Sequence, residues 1–489
     1  MAMKLITVPV AAIAAVVFAS FIGRTSAAVE APARIFRAGA ATSNITPPLD
    51  TSISGLIGQR GTAKGIHDEL HARCLVLDDG RTRVAIVVVD STVVSRDVFD
   101  RAKKQVQEAI GFPANRILAS ATHTHSSPQG VVITGSQEEK DYHEFLARRI
   151  ADGIRRAVNH LAPARIGWGA GRKPEYVFNR RWLIKPEGRL PNPFGEMNDR
   201  IQMNPTSGSP HLIAPSAPVD PEVAVLSVQN ADGRPLALLA NYGLHYVGGT
   251  GGGLVSADYF GEFAEQIEER IAPGRQHPPF VGIMSNGTSG NVNNIDFSQP
   301  RTAPRPPFER VRQVAAGVAD EVHRVCQNIE YHTWVPLAME EGDLDLAVRR
   351  PTAERLAWAK KIWNGASGKL PRDRREVYAR ETVEVAKYPA TIPVKLQAIR
   401  IGTLGIAANP CEMFAQTGLE IKARSPLART FTISLANGHT GYLPTPRDHE
   451  LGGYETWLAR SSYLEVQASE KIRDELLRLF QKLAAGAEN

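Results

Sequence analysis

Short runs of aliphatic and β-branched residues alternate with longer segments of helical periodicity along most of the chain, and this alternation limits the choice of fold more than any other feature. Three pairs of runs are separated only by short turn signals that contain glycine, which predicts three hairpins: 72–77 with 84–89, 223–228 with 235–242, and 394–401 with 404–408. Single strands are predicted at 116–122 and 164–169, and helices at 98–110, 142–161, 259–271, 308–326, 413–423 and 463–483. Because hairpins join antiparallel strands, the sequence predicts an α/β fold with mixed β-sheets flanked by helices.

Two Pro-rich stretches interrupt this pattern. Residues 185–221 are rich in Pro, Gly, Asn and Ser and show little periodicity, and residues 297–308 form a shorter stretch of the same kind. Loops of that length are usually functional or disordered. Neither stretch is flanked by a change in composition that would mark a domain boundary. We therefore expect one large catalytic domain over residues 29–489, with long loops over the mouth of its site.

The N-terminus has the features of a secretory signal peptide, predicted here over residues 1–28. Lys4 supplies a positive charge, residues 5–22 are apolar and uncharged, and small residues from Thr25 to Ala28 offer a cleavage site. An uncleaved transmembrane anchor is the alternative, because 18 apolar residues are near the lower limit for spanning a bilayer. Pro9 and the small-residue exit favour cleavage. We expect an exported protein, periplasmic or secreted, without a transmembrane segment after signal removal.

Charge and cysteine content exclude several classes of protein. The net charge of +6 is spread over 489 residues, which is too little to indicate a nucleic-acid partner. The three cysteines, Cys74, Cys326 and Cys411, allow at most one internal disulfide. None of them lies in a CxxC pair, so a thiolate metal cluster is not expected.

The most specific local motif is Thr122-His123-Thr124-His125-Ser126, which follows a predicted strand. Residues two apart in an extended strand share a face, so the two imidazoles would project together from the strand end. That arrangement suits a divalent metal, or one metal ligand beside one acid–base group. A pair of hydrogen-bonded histidines at a strand edge is the alternative interpretation.

Four further polar segments also follow predicted strands or open helices, and strand ends are where α/β folds place their sites. These segments are Asn241–His245 with the glycine-rich stretch after it, Ser285–Asn293, Asn409–Glu412 and Asn437–Tyr442. The spacing of Ser285 and Ser289 is not that of a GxSxG nucleophile elbow.

Several other charged or histidine-containing segments have plainer explanations. His67 and His71 could bind a second metal only on a helix, and the segment is expected to lead directly into a strand. Asp90 could orient a ligand or cap a strand end. His439 and His449 lie close to Tyr442 in the sequence and are expected in solvated loops, with a place lining the site as the alternative. Arg349-Arg350 and Arg372–Arg375 are predicted to form a solvated helical face, with an anionic or membrane patch as the alternative.

Taken in order along the chain, these motifs resemble the neutral/alkaline (non-lysosomal) ceramidase family. The resemblance covers nearly the whole chain after residue 35, and it rests on Phe36–Pro47, Gly65–Asp68, the THTHS motif, the His245 segment, Asn286–Val292, and the Glu412 and Tyr442 segments. It implies a mixed α/β catalytic domain that holds one zinc ion and hydrolyses an amide bond in a small-molecule or lipid-like N-acyl substrate.

The resemblance also assigns roles to individual residues. It implies that zinc is bound by His123, His245, Glu412 and Tyr442. His125 is expected to be catalytic or to orient substrate, and Arg180 to polarise the scissile carbonyl, while Asp68 is expected at the rim of the site and Asn293 to position substrate. Imidazole and carboxylate are ordinary zinc ligands. Tyrosinate is an uncommon one, because the metal must lower its pKa from about 10.

Two departures from the family pattern bear on the substrate. Gly290-Asn291-Val292-Asn293-Asn294 stands where the ceramidases carry Gly-Asp-Val-Ser-Pro, so Asn293 replaces a functional serine and cannot act as a nucleophile. We also expect this protein to lack the immunoglobulin-like domain that follows in full-length ceramidases, because the sequence stops soon after the Tyr442 segment and its closing helix. The expected activity is zinc-dependent amide hydrolysis by metal-activated water. A zinc esterase or lactonase and a non-catalytic binding protein on the same fold are the alternatives.

Overall fold

The computed structural model describes residues 34–54, 59–131, 135–300, 303–363 and 371–486, with Met1, Ala2 and Leu5, and it describes side chains except those of residues 54–60. Its contacts divide the chain into two units, Met1–Arg34 and Ile35–Asn489, and the second unit is the one described below. The predicted signal peptide and its boundary at residue 28 lie outside the described residues, apart from Met1, Ala2 and Leu5. Among the described helices, none combines the length and apolarity needed to cross a bilayer.

The strands of the first half of the chain are β1 (Arg37–Asn44), β2 (Ser52–Ser54), β3 (Gln59–Thr62), β4 (Gly65–Ile66), β5 (His71–Asp78), β6 (Arg83–Val89), β7 (Ile117–Ala121), β8 (Ala162–Arg172), β9 (Phe178–Asn179), β10 (Arg181–Ile184), β11 (Ile201–Met203), β12 (Leu212–Pro215), β13 (Glu222–Asn230) and β14 (Pro235–Tyr242). Those of the second half are β15 (Leu254–Val255), β16 (Val281–Asn286), β17 (Val292–Asn293), β18 (Leu337–Ala347), β19 (Thr391–Ile401), β20 (Leu404–Ala408), β21 (Glu412–Met413), β22 (Arg429–Ile433) and β23 (Tyr442–Leu443).

The helices are α1 (Arg96–Ile110), α2 (Gln137–Asn159), α3 (Asp258–Ile271), α4 (Glu309–Cys326), α5 (Ala353–Ile362), α6 (Arg374–Val385), α7 (Ala415–Arg424), α8 (Pro446–Leu451) and α9 (Ala468–Ala485). Helix α1 shows why the boundaries fall where they do. The Ser95 side chain caps its first turn by accepting the Val98 amide, and Gly111 ends it in the left-handed conformation, with φ of 68°.

Two sheets account for most of the strands, and both are mixed as predicted. The larger sheet has the order β16-β14-β13-β8-β1-β5-β6-β7, with parallel pairing only at its two edges, between β14 and β16 and between β6 and β7. The smaller sheet has the order β18-β19-β20-β22, and its β20–β22 pair is parallel. The three predicted hairpins are confirmed as β5–β6, β13–β14 and β19–β20.

The buried side chains show that the two sheets are stacked with helices outside them. One face of the large sheet packs against α1 and α2 and, further along, against α3 and α4. Its other face packs on the small sheet, which α9 covers from the far side. Neighbouring strand residues point to opposite faces, so Val225 lies under the helices and Leu226 lies between the sheets. Burial on both faces explains why the strands are continuous aliphatic runs.

Several predicted boundaries were wrong by a few residues, for local reasons. Helix α2 begins at Gln137 because Ser136 caps it by accepting the Glu139 amide. The closing helix begins at Ala468, since Leu464 pairs with Val348 instead of entering the helix. Residues 185–221 are also more regular than expected, because β11 and β12 flank β10 in a three-stranded sheet.

The prediction for Arg349 was wrong. It precedes α5, and its guanidinium donates hydrogen bonds to the backbone carbonyls of Leu464, Thr456 and Ser462. Burial lowers the pKa of Arg349 to about 10, so it stays charged at neutral pH. Arg349 therefore anchors the segment 456–464 instead of forming a solvated face. All three cysteines are free thiols.

Candidate metal centre

The histidines and carboxylate singled out by the sequence lie where the edges of the large sheet meet. The two edge strands, β7 and β16, contact each other near their carboxyl ends. The Asn286 side-chain amide, at the end of β16, donates to the carbonyl of Thr122, just after β7. The loops that follow β7, β14 and β16 therefore surround one pocket.

Three imidazoles meet in this pocket. Nε2 of His123 lies 3.1 Å from Nε2 of His245 and 3.2 Å from Nε2 of His125. Ligand atoms of the three rings all fall within 4.8 Å of one another, and no other histidine, cysteine or carboxylate cluster of this kind occurs in the part of the chain that the structure describes. His123 and His245 are buried, and His125 is half-buried.

Backbone carbonyls fix the orientation of the two buried rings. Nδ1 of His123 lies 2.7 Å from the carbonyl oxygen of Thr92, and Nδ1 of His245 lies 3.0 Å from that of Ser289. A ring that donates from Nδ1 and is neutral carries its lone pair on Nε2. Burial, followed by the charges of Arg180 and His123, holds the pKa of His245 well below its usual range. Two such lone pairs 3.1 Å apart repel each other unless a proton or a cation lies between them.

The carboxylate of Glu412 completes a set of donors that fits a metal ion. Oε2 lies 3.4 Å from Nε2 of His123 and 3.8 Å from Nε2 of His245, while Oε1 lies 3.5 Å from Nε2 of His439. Both oxygens are buried, and neither accepts a hydrogen bond of normal geometry. Burial opposes ionisation, but the attraction of His123 holds the pKa of Glu412 well below its usual range. A buried carboxylate that accepts no hydrogen bond of normal geometry, beside the Nε2 atoms of two imidazoles, belongs to the donor set expected around a divalent cation.

Tyr442 and Arg180 form the adjoining wall. Strands β21 and β23 pair in parallel with Glu412 opposite Tyr442, which brings the phenol beside the carboxylate. Nη2 of Arg180 donates to the hydroxyl of Tyr442 at 3.1 Å and to the carbonyl of Gly290 at 2.8 Å. Burial, reinforced by the charge of Glu412, raises the pKa of Tyr442 well above its usual range, and Arg180 opposes that rise. The phenol is therefore neutral unless a cation draws off its proton.

His125 reaches the pocket by a different route from the one predicted. Strand β7 ends at Ala121, and His123 has a left-handed backbone with φ of 78°, so strand alternation does not hold across the motif. The turn nevertheless directs both rings inward. The His125 ring stacks on Tyr246 with centroids 3.7 Å apart. His125 is the least buried of the three rings.

The polar turn after β16 organises the pocket. Ser289 donates through its hydroxyl to Asn286 and accepts from His245 through its carbonyl. The Asn291 side chain accepts the amide of Ala415 at the start of α7. The hydroxyl of Ser289 is thus committed to a hydrogen bond within the turn, which agrees with the absence of a nucleophile-elbow spacing.

Asn293 and Asp68, the two predicted substrate contacts, lie further from the histidines. Asn293 is in β17, which pairs with β9 immediately before Arg180, and its amide donates to Asn204 in the loop region 185–221. Asn293 is therefore at the edge of the Arg180 wall. Asp68 instead accepts the amide of Ala257 at 2.5 Å, next to the start of α3.

Asp68 gives a pH-dependent prediction. Burial raises its pKa to about 6, and hydrogen bonds from Ser256 and Ala257 limit the rise. The pKa of Asp68 is near 4 in the unfolded state and about 6 in the folded state. Between pH 4 and pH 6 the folded state therefore binds more protons than the unfolded state. Stability therefore falls as pH rises from about 4 to about 6, by roughly 3 kcal/mol from this group. We expect Asp68→Asn to stabilise the protein above pH 6 and to give no gain near pH 4.

Urea unfolding of wild type and Asp68→Asn at pH 4 and pH 7.5 checks this expectation, with the exposed neighbour Glu69→Gln as the control. The same stability difference at both pH values would contradict it. A raised KM at unchanged stability would instead support contact between Asp68 and the substrate.

The structure adds Glu455, which sequence reasoning missed, and it decides between the two interpretations of His439. Glu455 is fully buried and pairs with Arg180 through Nε at 3.0 Å and with Arg181 through Nη1 at 2.6 Å. His439 was expected in a solvated loop, but its side chain is mostly buried beside Glu412. Glu455 stands 275 positions from Arg180 and belongs to no motif, so no local signal could have found it.

The remaining histidine and carboxylate candidates lie outside the pocket. The His67 ring stacks on Phe308 with centroids 3.5 Å apart, and His71 is the first residue of β5, so they do not form a helical pair. Asp90 forms a buried ion pair with Arg73 at 2.5 Å and accepts the His71 amide. Asp90 thus ties β5 to the end of β6.

Comparison with known proteins agrees with this geometry. The family model described as neutral/alkaline non-lysosomal ceramidase, N-terminal, matches residues 36–298, which is more than half of the chain and includes the THTHS motif and His245. The chain belongs to this family. The expected resemblance is thereby confirmed.

Individual ceramidases show how distant the relationship is. Neutral ceramidase A of Dictyostelium discoideum is 24% identical over 278 residues, covering 53% of this chain and 36% of that protein. Neutral ceramidase of Pseudomonas aeruginosa is 23% identical over 308 residues, covering 59% of this chain and 42% of that protein. The matched part thus spans well under half the length of these curated relatives.

Solved ceramidase structures share the fold. The crystal structure of neutral ceramidase from Pseudomonas aeruginosa superposes with a TM-score of 0.69 at 18% identity, covering 92% of this chain and 74% of that chain. A structure described as a ceramidase complexed with C2 gives a TM-score of 0.68 at 18% identity, covering 92% and 76%. The mixed α/β architecture is therefore that of a ceramidase over nearly the whole chain.

Proposed function

We propose that this protein is a zinc-dependent hydrolase that cleaves the amide bond of a lipid-like N-acyl substrate. The observation that carries the proposal is the pair of inward-facing Nε2 atoms of His123 and His245 beside the buried carboxylate of Glu412, whose oxygens accept no hydrogen bond of normal geometry. The relatives named neutral ceramidase support an N-acyl amide as the substrate class.

In this proposal His123, His245, Glu412 and Tyr442 hold the zinc ion. The carbonyls of Thr92 and Ser289 keep both imidazoles in the tautomer that a metal requires. The Tyr442 phenol is neutral without a cation, and it would hold zinc as the phenolate. A zinc ion bound by such a set supplies Lewis acidity, which lowers the pKa of water to about 7 and yields a nucleophile at neutral pH.

The other residues act on the substrate itself. Arg180 donates hydrogen bonds to the oxygen on which negative charge develops when the carbonyl is attacked. His125, the least buried of the three rings, exchanges a proton with the reacting groups. Asn293 positions substrate at the edge of the Arg180 wall through its amide. It cannot supply a nucleophilic hydroxyl, so the serine of the related ceramidases has no chemical counterpart at that position.

Two features outside the pocket belong to the same proposal. We place the catalytic domain at residues 29–489 and a cleaved secretory signal at residues 1–28, which makes the enzyme periplasmic or secreted. The N-terminal sequence of protein recovered from the exporting host tests the signal directly.

Metal content and turnover, measured on the same preparation, test the activity. The substrates are an N-acyl sphingosine, a simple N-acyl amide and the ester that matches each of them. About one zinc per chain, with turnover of the amides, supports the proposal. Turnover confined to the esters would identify an esterase or lactonase on the same site. A folded protein that binds no zinc and turns over nothing after zinc is added would leave a binding protein.

A further inference from the structure

We propose that Glu455 is a positioning residue that holds the Arg180 guanidinium in place, so that its two remaining N–H groups face the substrate oxygen. This inference rests on the proposed function, because it assigns Arg180 to the developing charge. It concerns a residue that no sequence motif marks.

The hydrogen bonds of Arg180 leave one end of its guanidinium open. A guanidinium has five N–H donors in a fixed plane. Nε donates to Glu455 at 3.0 Å, and Nη2 donates to Gly290 and Tyr442 at 2.8 and 3.1 Å. Three donors are thus committed, and Nη1 makes no hydrogen bond within the described part of the chain. Because the plane is rigid, the fixed Nε and Nη2 edge determines where Nη1 points.

Glu455 is itself fixed, which a positioning group requires. Its Oε2 accepts from Nη1 of Arg181 at 2.6 Å, and Nη2 of Arg181 donates to the carbonyls of Gly452 and Asp448 at 2.9 and 3.3 Å. Arg181 and Glu455 are fully buried. Arg349 anchors the following segment through the carbonyls of Thr456 and Ser462. These hydrogen bonds hold the Glu455 carboxylate in place, and the carboxylate in turn accepts a hydrogen bond from Nε of Arg180.

Electrostatics favour the same role. Arg180 lies next to Tyr442, and an unbalanced cation there would compete with a metal ion for the same donors. Glu455 faces both arginines and offsets part of their charge without taking a place in the histidine cluster. A neutral replacement would leave Arg181 paired with Asp448 at 3.4 Å and Arg180 with no ion-pair partner at its Nε, so the orientation and the charge balance of Arg180 would both be weakened.

Glu455→Gln and Arg180→Met, alone and combined, test the proposal. We expect Glu455→Gln to lower kcat ten- to a hundred-fold, the usual range for outer-shell partners, with little change in KM and zinc content. In the Arg180→Met background the same substitution should cost almost nothing further, because it acts through Arg180. If the kcat losses of the two single variants multiply in the double variant, the two residues act independently and the proposal is overturned. Glu455→Asp, which keeps the charge, should recover part of kcat.

A matched control separates positioning from folding. Asp78 is also buried and accepts from both Nε and Nη2 of Arg83, yet it lies at the turn of the β5–β6 hairpin, at the opposite end of β6 from the pocket. Asp78→Asn should lower stability without lowering kcat per folded molecule. An equal kcat loss in Asp78→Asn would mean that any buried carboxylate paired with an arginine has the effect, and it would overturn the specific role of Glu455.

The last readout does not depend on turnover. In a crystal structure of Glu455→Gln we expect Nη2 of Arg180 to leave the Tyr442 hydroxyl, with which it is in contact at 3.1 Å in the wild type. An unmoved guanidinium would overturn the proposal. If the wild type hydrolyses nothing, the proposed function fails, while this measurement still decides whether Glu455 positions Arg180.

Discussion

His123→Ala should lose bound zinc and turnover together, with a fall in kcat/KM of about 1,000-fold or more. His123 is the residue that links the cluster, since its Nε2 lies within 3.4 Å of His125, His245 and Glu412. A catalytic metal contributes several kcal/mol of transition-state stabilisation, and 1.36 kcal/mol corresponds to a factor of ten in rate. Removing one imidazole also opens a cavity beside a charged carboxylate, so the remaining ligands would hold zinc weakly.

Metal analysis and steady-state kinetics on the same preparations check this result. His143→Ala is the matched control. His143 lies on helix α2, it is also buried, and its Nε2 contacts the backbone carbonyl of Gln129. The control should keep its zinc and its kcat even if it is less stable. Retention of one zinc per chain and wild-type turnover by His123→Ala would remove His123 from the metal centre.

The second large effect is expected from Arg180→Met, which should lower kcat by about a hundred- to a thousand-fold while zinc stays bound. That is the usual loss when one donor to a developing oxyanion is removed. Methionine fills much of the arginine's volume, but it donates no hydrogen bond and carries no charge. Arg180→Lys keeps the charge without the planar set of donors, so we expect it to fall between the wild type and Arg180→Met.

Kinetics and zinc content of the three proteins distinguish this role from a structural one. Arg165→Met provides the control, since Arg165 is partly buried and donates to Gln229 on the neighbouring strand β13, outside the pocket. Its kcat should not change. A loss of zinc in Arg180→Met equal to the loss of kcat would mean that Arg180 supports the metal ligands and does not act on the substrate.

Local sequence signals were sufficient for the three hairpins and for six of the described helices, but not for α5, α6, α8 or the strand β18. The glycine-containing turns fixed the β5–β6, β13–β14 and β19–β20 hairpins, because such turns are short-range features that the surrounding protein rarely overrides. Helix starts were less accurate, since they depend on single capping residues such as Ser136. The strands β11 and β12 inside residues 185–221 were missed, because their sequences show little periodicity. They form by pairing with β10.

By itself, the sequence determined the α/β class, the mixed sheets and the motifs that carry His123, His245, Glu412 and Tyr442. These depend on residue type and spacing over short stretches. Only the tertiary structure decided that the motifs meet. The contact between the edge strands β7 and β16 brings together the loops that follow them, and the parallel β21–β23 pair sets Glu412 beside Tyr442. The tertiary structure also decided that Glu455 lies against Arg180, because residues 275 positions apart come into contact only when the chain folds. Both side chains are buried there, and they form an ion pair that neither residue's local sequence indicates.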